Sequence, residues 1–407
     1  MAGGTEAAPA AAARPGWSRH LRVRDPDGEQ QTTNLELFFD LVFVFAITQL
    51  SHHLLGALTW AGAAQTGFLL LVVWWAWIYT TWMTNWFDPD SVTVRVVLIG
   101  VMGASMVMAI AIPDAFGDRA ILFAGAYVAL QVGRNLFNVW ATRHDGSSLA
   151  RTFQRILVWS LASGALWIAG GLASEDLRIG LWIAALAIDY GGPALLYWTP
   201  GLGRSAYDDW QIDGAQFAER FQLFVIISLG ETIVVTGATA SEKVLDAGVV
   251  AAMLVAFLGT AALWWIYFDY VAGLSQRHLS ETRDRGRLAR DGFTYGHIPI
   301  VAGIIVAAVG DEVVIAHATA HLHAAELAAV AGGPALYLLG HAAFRWSMVR
   351  SVGWSRLVGA AIIAAIGVAG LAFPALAVAS AIVVVLAVLA AWPRIRRRRA
   401  SGAPAAG

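Results

Sequence analysis

The chain has no cysteine, one lysine and little charge of either sign. Without cysteine it has no disulfide framework and no thiolate chemistry. Only 14% of its 407 residues are charged, whereas a soluble domain has about 25%. The chain therefore has too little polar surface to cover itself in water, and a soluble globular fold is excluded.

Signatures of common cofactor and catalytic sites are also missing. No Walker A, G-x-G-x-x-G, H-E-x-x-H or G-x-S-x-G motif occurs in a suitable context, so we expect no cofactor and no metal. Residues 1–34 are Ala/Pro-rich, then polar and basic, without the apolar core of a signal peptide. They read as a disordered cytoplasmic tail.

Apolar stretches of about 17–25 residues, the length that spans a bilayer as a helix, recur along the chain. The composition is 58% hydrophobic with 18 tryptophans, and Trp favours the membrane interface. We predict an all-α, polytopic helical membrane protein with twelve transmembrane helices. Pro374 separates the last two, for which one re-entrant hairpin is the competing interpretation. The predicted spans are 35–55, 66–84, 94–112, 119–141, 155–172, 179–199, 219–239, 247–271, 293–315, 325–345, 355–372 and 375–392.

The basic residues predict the orientation. All 27 are arginine except Lys243. Both tails and the connections after even-numbered spans carry most of them, whereas the opposite loops hold Arg119, Arg178 and Lys243. By the positive-inside rule both termini are cytoplasmic, which requires an even number of spans. The cytoplasmic connections carry Arg143, Arg151, Arg155, Arg204, Arg277, Arg283, Arg285, Arg287, Arg290, Arg350 and Arg356.

The C-terminal arginine run predicts a lipid contact. A short basic cluster next to a span is suited to anionic lipid head groups, and nucleic-acid binding is a poor alternative. The run consists of Arg396, Arg397, Arg398 and Arg399.

The two halves of the chain resemble each other. "GRNLFNVW" at 133–140 is similar to "GHAAFRW" at 340–346, and "LELFF" at 35–39 to "AERFQ" at 218–222. We predict a six-plus-six duplication, as in many transporters, with function at the interface of the halves. The corresponding division is 1–34 tail, 35–199 first half, 200–218 cytoplasmic connection, 219–392 second half and 393–407 basic tail.

Charged residues inside the spans are the best pointers to function, because an ionisable group at membrane depth is costly unless it is paired or hydrated. In "TNLELFFDLVFVFAITQL" (33–50), Glu36 and Asp40 lie one helical turn apart on one face. We expect charged residues from both halves to join them in one buried polar cluster near the cytoplasmic side. The predicted cluster contains Glu36, Asp40, Asp88, Arg95, Arg134, Glu219, Arg220, Asp269 and His297.

Deeper acids lie in both halves. Glu231 lies twelve residues beyond Glu219, or about 18 Å along a helix, which is near the midplane of a core about 30 Å thick. It is either a proton or cation site or a protonated, hydrogen-bonded structural residue. Asp311 and Glu312 are either the outer mouth of a pathway or interfacial acids. Asp189 lies beside a Gly-Gly-Pro sequence that would break its helix.

A family resemblance rests on several of these motifs. "ELFFDLVFVFAITQLSHHL", "RFQLFVIISLGETIV", "WWIYFD" and "IPDAF" resemble the bacterial low temperature requirement protein A family. The resemblance implies a polytopic protein of the bacterial inner membrane, and it implies no established reaction. Glu36, Asp40, Arg220 and Glu231 match the motif positions.

Three functions remain open from the sequence. The first is movement of a small cation, proton or small solute through a site of buried acids. The second is an intramembrane enzyme on a lipid or polyprenyl phosphate, whose acids would hold magnesium and whose Arg134 and Arg220 would contact the phosphate. The third is a structural or sensory membrane component whose charges only pair.

Overall fold

Long helices account for nearly all of the described chain. The structure, a computed structural model, describes residues 20–22, 31–144, 147–206, 212–269 and 289–401, with side chains up to residue 392. These residues contain no β-strand, which confirms the all-α prediction. Their twelve long α-helices are α1 Asn34–Gly56, α2 Trp60–Trp86, α3 Val92–Ala111, α4 Ala120–Thr142, α5 Ser148–Leu172, α6 Glu175–Ala194, α7 Gly214–Ser241, α8 Ala247–Phe268, α9 Ile298–Ala316, α10 Ala324–Val349, α11 Trp354–Ala369 and α12 Ala375–Ser401.

Eleven of the helices formed by the described residues are long and apolar enough to cross a membrane. The exception is α6, which contains Glu175, Asp176, Arg178 and Asp189. Large apolar side chains also face outward, as a lipid-exposed surface requires; Val368, for example, is 76% exposed. The chain is thus a multi-pass membrane protein.

Two predicted boundaries around the central connection are wrong. Helix α6 ends at Ala194 rather than at 199, because Leu196 and Tyr197 both adopt left-handed backbone angles after the Gly-Gly-Pro sequence. Helix α7 begins at Gly214 rather than at 219, because the Asp213 side chain accepts a 2.9 Å hydrogen bond from the Gln216 amide and caps the helix. The earlier start brings Gln216 into the helix, where it reaches the buried charges.

The start of α1 is also fixed by its own side chains. Thr33 and Glu36 form a capping box, in which each side chain accepts a hydrogen bond from the other's backbone amide. The same glutamate thus caps the helix and supplies a buried charge.

Part of the predicted N-terminal tail packs against the helices. Leu21 pairs with Phe87 in an isolated antiparallel bridge, and the Arg22 amide donates to the Trp86 carbonyl at 2.9 Å. Residues 1–19 and 23–30 of that tail lie outside the described residues, as do 207–211 and 270–288, which include Arg277, Arg283, Arg285 and Arg287. The side chains of the arginine run 396–399 do too, so the anionic-lipid contact stays a prediction.

Helix packing follows a similar order in the two halves. In the first, α1 packs on α2 and α3, α3 on α4, α4 on α5 and α5 on α6; in the second, α7 packs on α8 and α9, α9 on α10, α10 on α11 and α11 on α12. Helices α1, α7 and α9 contact one another at the interface of the halves. This order is what a duplication would produce, and the duplication itself stays a prediction.

Helices α9 and α10 pack in unusually close contact. A Cβ atom on Gly303 would lie 2.5 Å from the Tyr337 backbone nitrogen, and one on Gly333 would lie 2.3 Å from that of Ala307. Small residues at such crossings let two backbones approach within a membrane. The contact fixes α9, which carries Asp311 and Glu312.

The predicted topology can be tested by cysteine labelling, because the natural chain has no cysteine. We expect Asp118→Cys and Glu242→Cys to react with an impermeant maleimide in whole cells, and His144→Cys to react only after permeabilisation. All three residues are exposed. If Glu242→Cys behaves like His144→Cys, α6 does not cross the membrane and the termini lie on opposite sides.

Candidate functional site

Arg220 of α7 bridges both acids of α1. Its Nη1 lies 3.1 Å from Glu36 Oε1 and its Nη2 lies 2.5 Å from Asp40 Oδ1. All three residues are fully buried. One guanidinium therefore holds two carboxylates and, through them, joins the two halves of the chain.

Glu36 has three further polar partners. Arg22 Nη2 donates to Glu36 Oε2 at 2.8 Å, and the Thr33 hydroxyl donates to the same oxygen at 2.9 Å. Gln216 Nε2 donates to Glu36 Oε1 at 2.7 Å. Both carboxylate oxygens of Glu36 therefore accept hydrogen bonds.

Asp40 is held by α2 as well as by Arg220. Trp77 Nε1 donates to Asp40 Oδ1 at 2.8 Å, and Arg220 Nη1 lies 3.4 Å from the Thr84 hydroxyl. Asp40 Oδ2 and Arg220 Nε have no hydrogen-bond partner among the described residues. The Arg220 guanidinium also lies 5.8 Å from the centre of the Phe39 ring.

The group Arg22, Glu36, Asp40 and Arg220, called the neutral cluster below, contains two cations and two anions. Its charges therefore balance, whereas the cluster predicted from the sequence contains five acids and three arginines. Buried and mutually paired charges of this kind hold helices in place but contribute little net stability, because desolvation offsets their attraction. The geometry fits a junction between the halves better than a binding site.

Arg134 was predicted in the same cluster, and this prediction is wrong. It is buried but lies against the first half alone: Nη1 donates to the Thr80 hydroxyl at 3.1 Å and Nη2 to Gln131 Oε1. Gln131 in turn donates to the Tyr127 hydroxyl at 2.9 Å, which donates to Asp189 at 2.8 Å. The network occupies a different helix interface because α4 packs on α3 and α5, away from α7.

Arg95 and Asp88 also lie outside the cluster. Arg95 is half-exposed and pairs with the exposed Asp90 at 3.3 Å, since it sits on the outer side of the first turn of α3. Asp88 follows the end of α2 and accepts a 3.0 Å hydrogen bond from the Asp90 amide. Both residues therefore stabilise the turn between α2 and α3.

Glu219 and Asp269 form local contacts instead. Glu219 Oε2 accepts hydrogen bonds from the Thr32 amide at 3.0 Å and the Thr32 hydroxyl at 2.8 Å, so it anchors the segment before α1 at the edge of the neutral cluster. Asp269 is exposed at the end of α8, where it accepts from Trp265 Nε1 at 2.9 Å.

His297 is buried among aromatic rings rather than charges. Its Nε2 lies 2.9 Å from the Tyr267 hydroxyl and its Nδ1 lies 3.1 Å from the Phe293 carbonyl. The rings of Phe221, Phe293 and Phe344 surround it. It connects α8 to α9 and does not reach the carboxylates.

Of the ten predicted site residues, the structure brings together Glu36, Asp40 and Arg220, while Glu231 lies deeper in α7 and is buried. The partners that sequence reasoning missed are Arg22, Gln216 and Trp77. Arg22 stands in a segment that looks like a disordered tail. Gln216 carried a detectable signal, since it lies four residues before Arg220 and hence on the same face of a helix.

Comparisons with known proteins agree with the motifs that contribute these residues. Residues 31–391 match the family model "Bacterial low temperature requirement A protein (LtrA)". The chain belongs to the LtrA family. "Uncharacterized protein RA0937" of Rhizobium meliloti (strain 1021) is 40% identical over 334 residues, which is 81% of each chain. No solved structure gives a significant match.

The family match covers every residue of the neutral cluster except Arg22. It also covers Glu231, Asp311 and Glu312. The acids of the neutral cluster have cations within salt-bridge distance, whereas Glu231, Asp311 and Glu312 have none among the described residues.

Removing Arg220 should strongly destabilise this LtrA-family protein. Arg220→Met keeps the side-chain volume but leaves Glu36 and Asp40 without their shared cation, and breaking a buried ion pair in this way costs roughly 3–5 kcal/mol. Unfolding in mixed detergent micelles, followed by circular dichroism, measures the loss.

Arg95→Met is the matched control. Its exposed ion pair with Asp90 is worth about 0–1 kcal/mol. Equal losses for the two variants would contradict the assignment of Arg220 as the link between the halves.

Proposed function

We propose that this LtrA-family protein moves protons or a small cation across the membrane, with Glu231 and Asp311 as the carrying carboxylates. The main support is that no cation among the described residues lies within salt-bridge distance of either one. A carboxylate at membrane depth costs several kcal/mol unless it is paired, hydrated or protonated. Both groups are thus suited to take up and release a proton or a cation.

Glu231 is the deeper and more enclosed of the two. It is 2% exposed, and its Oε1 has no hydrogen-bond partner among the described residues. Its polar neighbours are Thr48 and His52 of α1. Helices α1 and α7 therefore enclose this carboxylate at the same interface that contains the neutral cluster.

Asp311 faces a small cavity. The cavity lies between α8, α9, α10 and α12, has a volume of about 30 Å³ and is lined mainly by apolar side chains. A single water needs roughly 10–15 Å³, so the space can hold a water or a dehydrated cation next to the carboxylate. Thr260 lines the same cavity.

Two threonine hydroxyls join α7 to α8 in the same region. Thr260 is 2.8 Å from Thr232, the residue next to Glu231, measured between their hydroxyl oxygens. A hydroxyl both donates and accepts hydrogen bonds, so such a pair can pass a proton. Thr232 follows Glu231 in the chain, and Thr260 lines the cavity of Asp311, so we propose that a proton path follows the row Glu231, Thr232, Thr260 and Asp311.

Aromatic rings separate this row from the neutral cluster. Glu231 lies eleven residues beyond Arg220, or about 16 Å along α7. Between them, the Phe224 ring centre is 4.2 Å from that of Trp77 and 5.6 Å from that of Trp74. Transport through the whole membrane would require this aromatic layer to open, and the structure then represents a closed state.

The two alternatives fit less of the geometry. The enzyme hypothesis needs Arg134 and Arg220 at one phosphate site, but Arg134 belongs to the Asp189 network and Arg220 is occupied by two carboxylates. The structural hypothesis accounts for the neutral cluster. It does not account for Glu231 and Asp311, neither of which has a cation within salt-bridge distance among the described residues.

Proton or cation flux tests the proposal. Purified protein in liposomes should dissipate an imposed proton or cation gradient, read with an internal pH dye and with cation-sensitive dyes. Glu231→Gln and Asp311→Asn should each reduce the flux to that of protein-free liposomes, because an amide cannot carry the proton or the charge.

Glu175→Gln, at an exposed site in the first half, is the matched control and should leave the flux unchanged. Asp40→Asn should lower stability more than flux. The proposal fails if wild-type protein gives no flux for protons or small cations. It also fails if both Glu231→Gln and Asp311→Asn transport like wild type.

A further inference from the structure

A large cavity opens at the end of the bundle where α1 ends and α2 and α10 begin. It is bounded by α1, α2, α9, α10 and α11 with the turn that follows it. Its volume is about 820 Å³, which lies within the roughly 300–1,000 Å³ of cavities that bind small molecules. We call it the apolar cavity.

The lining of the apolar cavity is almost entirely hydrocarbon. It contains no charged side chain, and most of it is alanine, glycine, leucine and valine. The hydroxyl in the lining, that of Thr59, already accepts a 3.0 Å hydrogen bond from the Gly62 amide at the start of α2. A ligand with polar groups along its length would bury them here without partners, which is costly. The interior therefore suits a hydrocarbon chain.

The depth of the apolar cavity corresponds to about one leaflet of a bilayer. Along α10 the lining runs from Ala324, the first residue of that helix, to Leu336, twelve residues further and therefore about 18 Å deeper. One leaflet of a hydrocarbon core about 30 Å thick measures about 15 Å. Trp60 stands at the mouth and is 88% exposed, as is favourable for a tryptophan at the level of the head groups.

The apolar cavity is continuous with the lipid-exposed surface of the protein. Val368 of α11 lines it and is 76% exposed, so lipid that covers this helix has direct access. Water in the hydrocarbon region would find no hydrogen-bond partners in such a lining. A spanning helix of a second copy would need a groove through the whole core of about 30 Å, whereas this cavity covers about half of that depth. A lipid chain is therefore the occupant that fits.

The walls of the apolar cavity are formed by packed helices. Leu54 of α1 and Ala329 of α10 line it, and both pack against Val309 of α9 in a small hydrophobic cluster of their own. Gly332 forms part of the α10 wall, and a Cβ atom on it would meet nothing within 4 Å. A chain can thus enter without displacing side chains, so little ordering of the protein opposes its binding.

From these features we propose that the apolar cavity binds an acyl chain of a membrane phospholipid, whose head group lies at the level of Trp60. The chain contacts five helices, whereas a lipid on an outward-facing helix surface contacts fewer. More apolar area of the bound chain is therefore in contact with protein, and this lipid is retained while the surrounding lipids exchange. The site is independent of the transport proposed for Glu231 and Asp311.

Titration of delipidated, full-length protein with palmitoyl-oleoyl phosphatidylcholine tests the proposal. Native mass spectrometry of protein released from detergent micelles measures both the lipid-bound fraction and the oligomeric state. The first lipid should bind saturably to wild type. Gly332→Phe and Ala364→Phe place a ring in the cavity from α10 and from α11. Each should weaken binding of the first lipid by roughly tenfold or more, the loss expected when about two methylene groups are excluded from the cavity.

Gly103→Phe is the matched control and should leave lipid binding unchanged, because Gly103 is exposed on α3 and a Cβ atom there also meets nothing within 4 Å. Circular dichroism identifies the folded variants, and the two cavity variants keep the test decisive if one of them does not fold. The proposal is overturned if wild type binds no lipid saturably, or if a folded cavity variant binds the first lipid like wild type. A lipid-free dimer that the cavity variants dissociate would also overturn it, since the cavity would then hold a second copy.

Discussion

The two ion pairs that Arg220 makes with Glu36 and Asp40 are the contact on which the architecture most depends. Each charge would be prohibitively costly alone in the apolar interior. Arg220 stands on α7 and both acids stand on α1, so neither half of the chain can bury its own charges without the other. Arg22 completes the balance by bringing a segment before α1 onto Glu36.

This balance separates Glu36 and Asp40 from Glu231 and Asp311. Glu36 and Asp40 have cations at hydrogen-bond distance, so they have little capacity to exchange a proton or ion. Glu231 and Asp311 have no such cation among the described residues, and a cavity and two threonine hydroxyls accompany them. The proposed transport function depends on that difference and not on the number of buried acids.

Much of the fold could be predicted from the sequence, because hydrophobic length and arginine placement are direct consequences of the bilayer. The twelve helices and the pairing of the α1 acids with the second half followed from these signals. The end of α6 and the start of α7 could not be predicted from these signals, since they depend on two left-handed residues and a capping aspartate. Which residues join the neutral cluster was harder to predict. Arg134 and Arg95 lie at plausible depths along their helices. However, the rotation of each helix about its own axis decides whether a side chain faces α7, another helix or the outside. Arg22 could not be found at all, because its low-complexity surroundings hide its contact with Glu36.

A double-mutant cycle between Arg220 and Asp40 tests the central claim most directly. The free energy of unfolding is measured for wild type, Arg220→Met, Asp40→Asn and the double variant. The account predicts that the double variant loses less stability than the sum of the single losses, with a coupling of about 1–3 kcal/mol. Losses that add within about 0.5 kcal/mol would mean that the two side chains do not interact in the folded protein, and would contradict the claim.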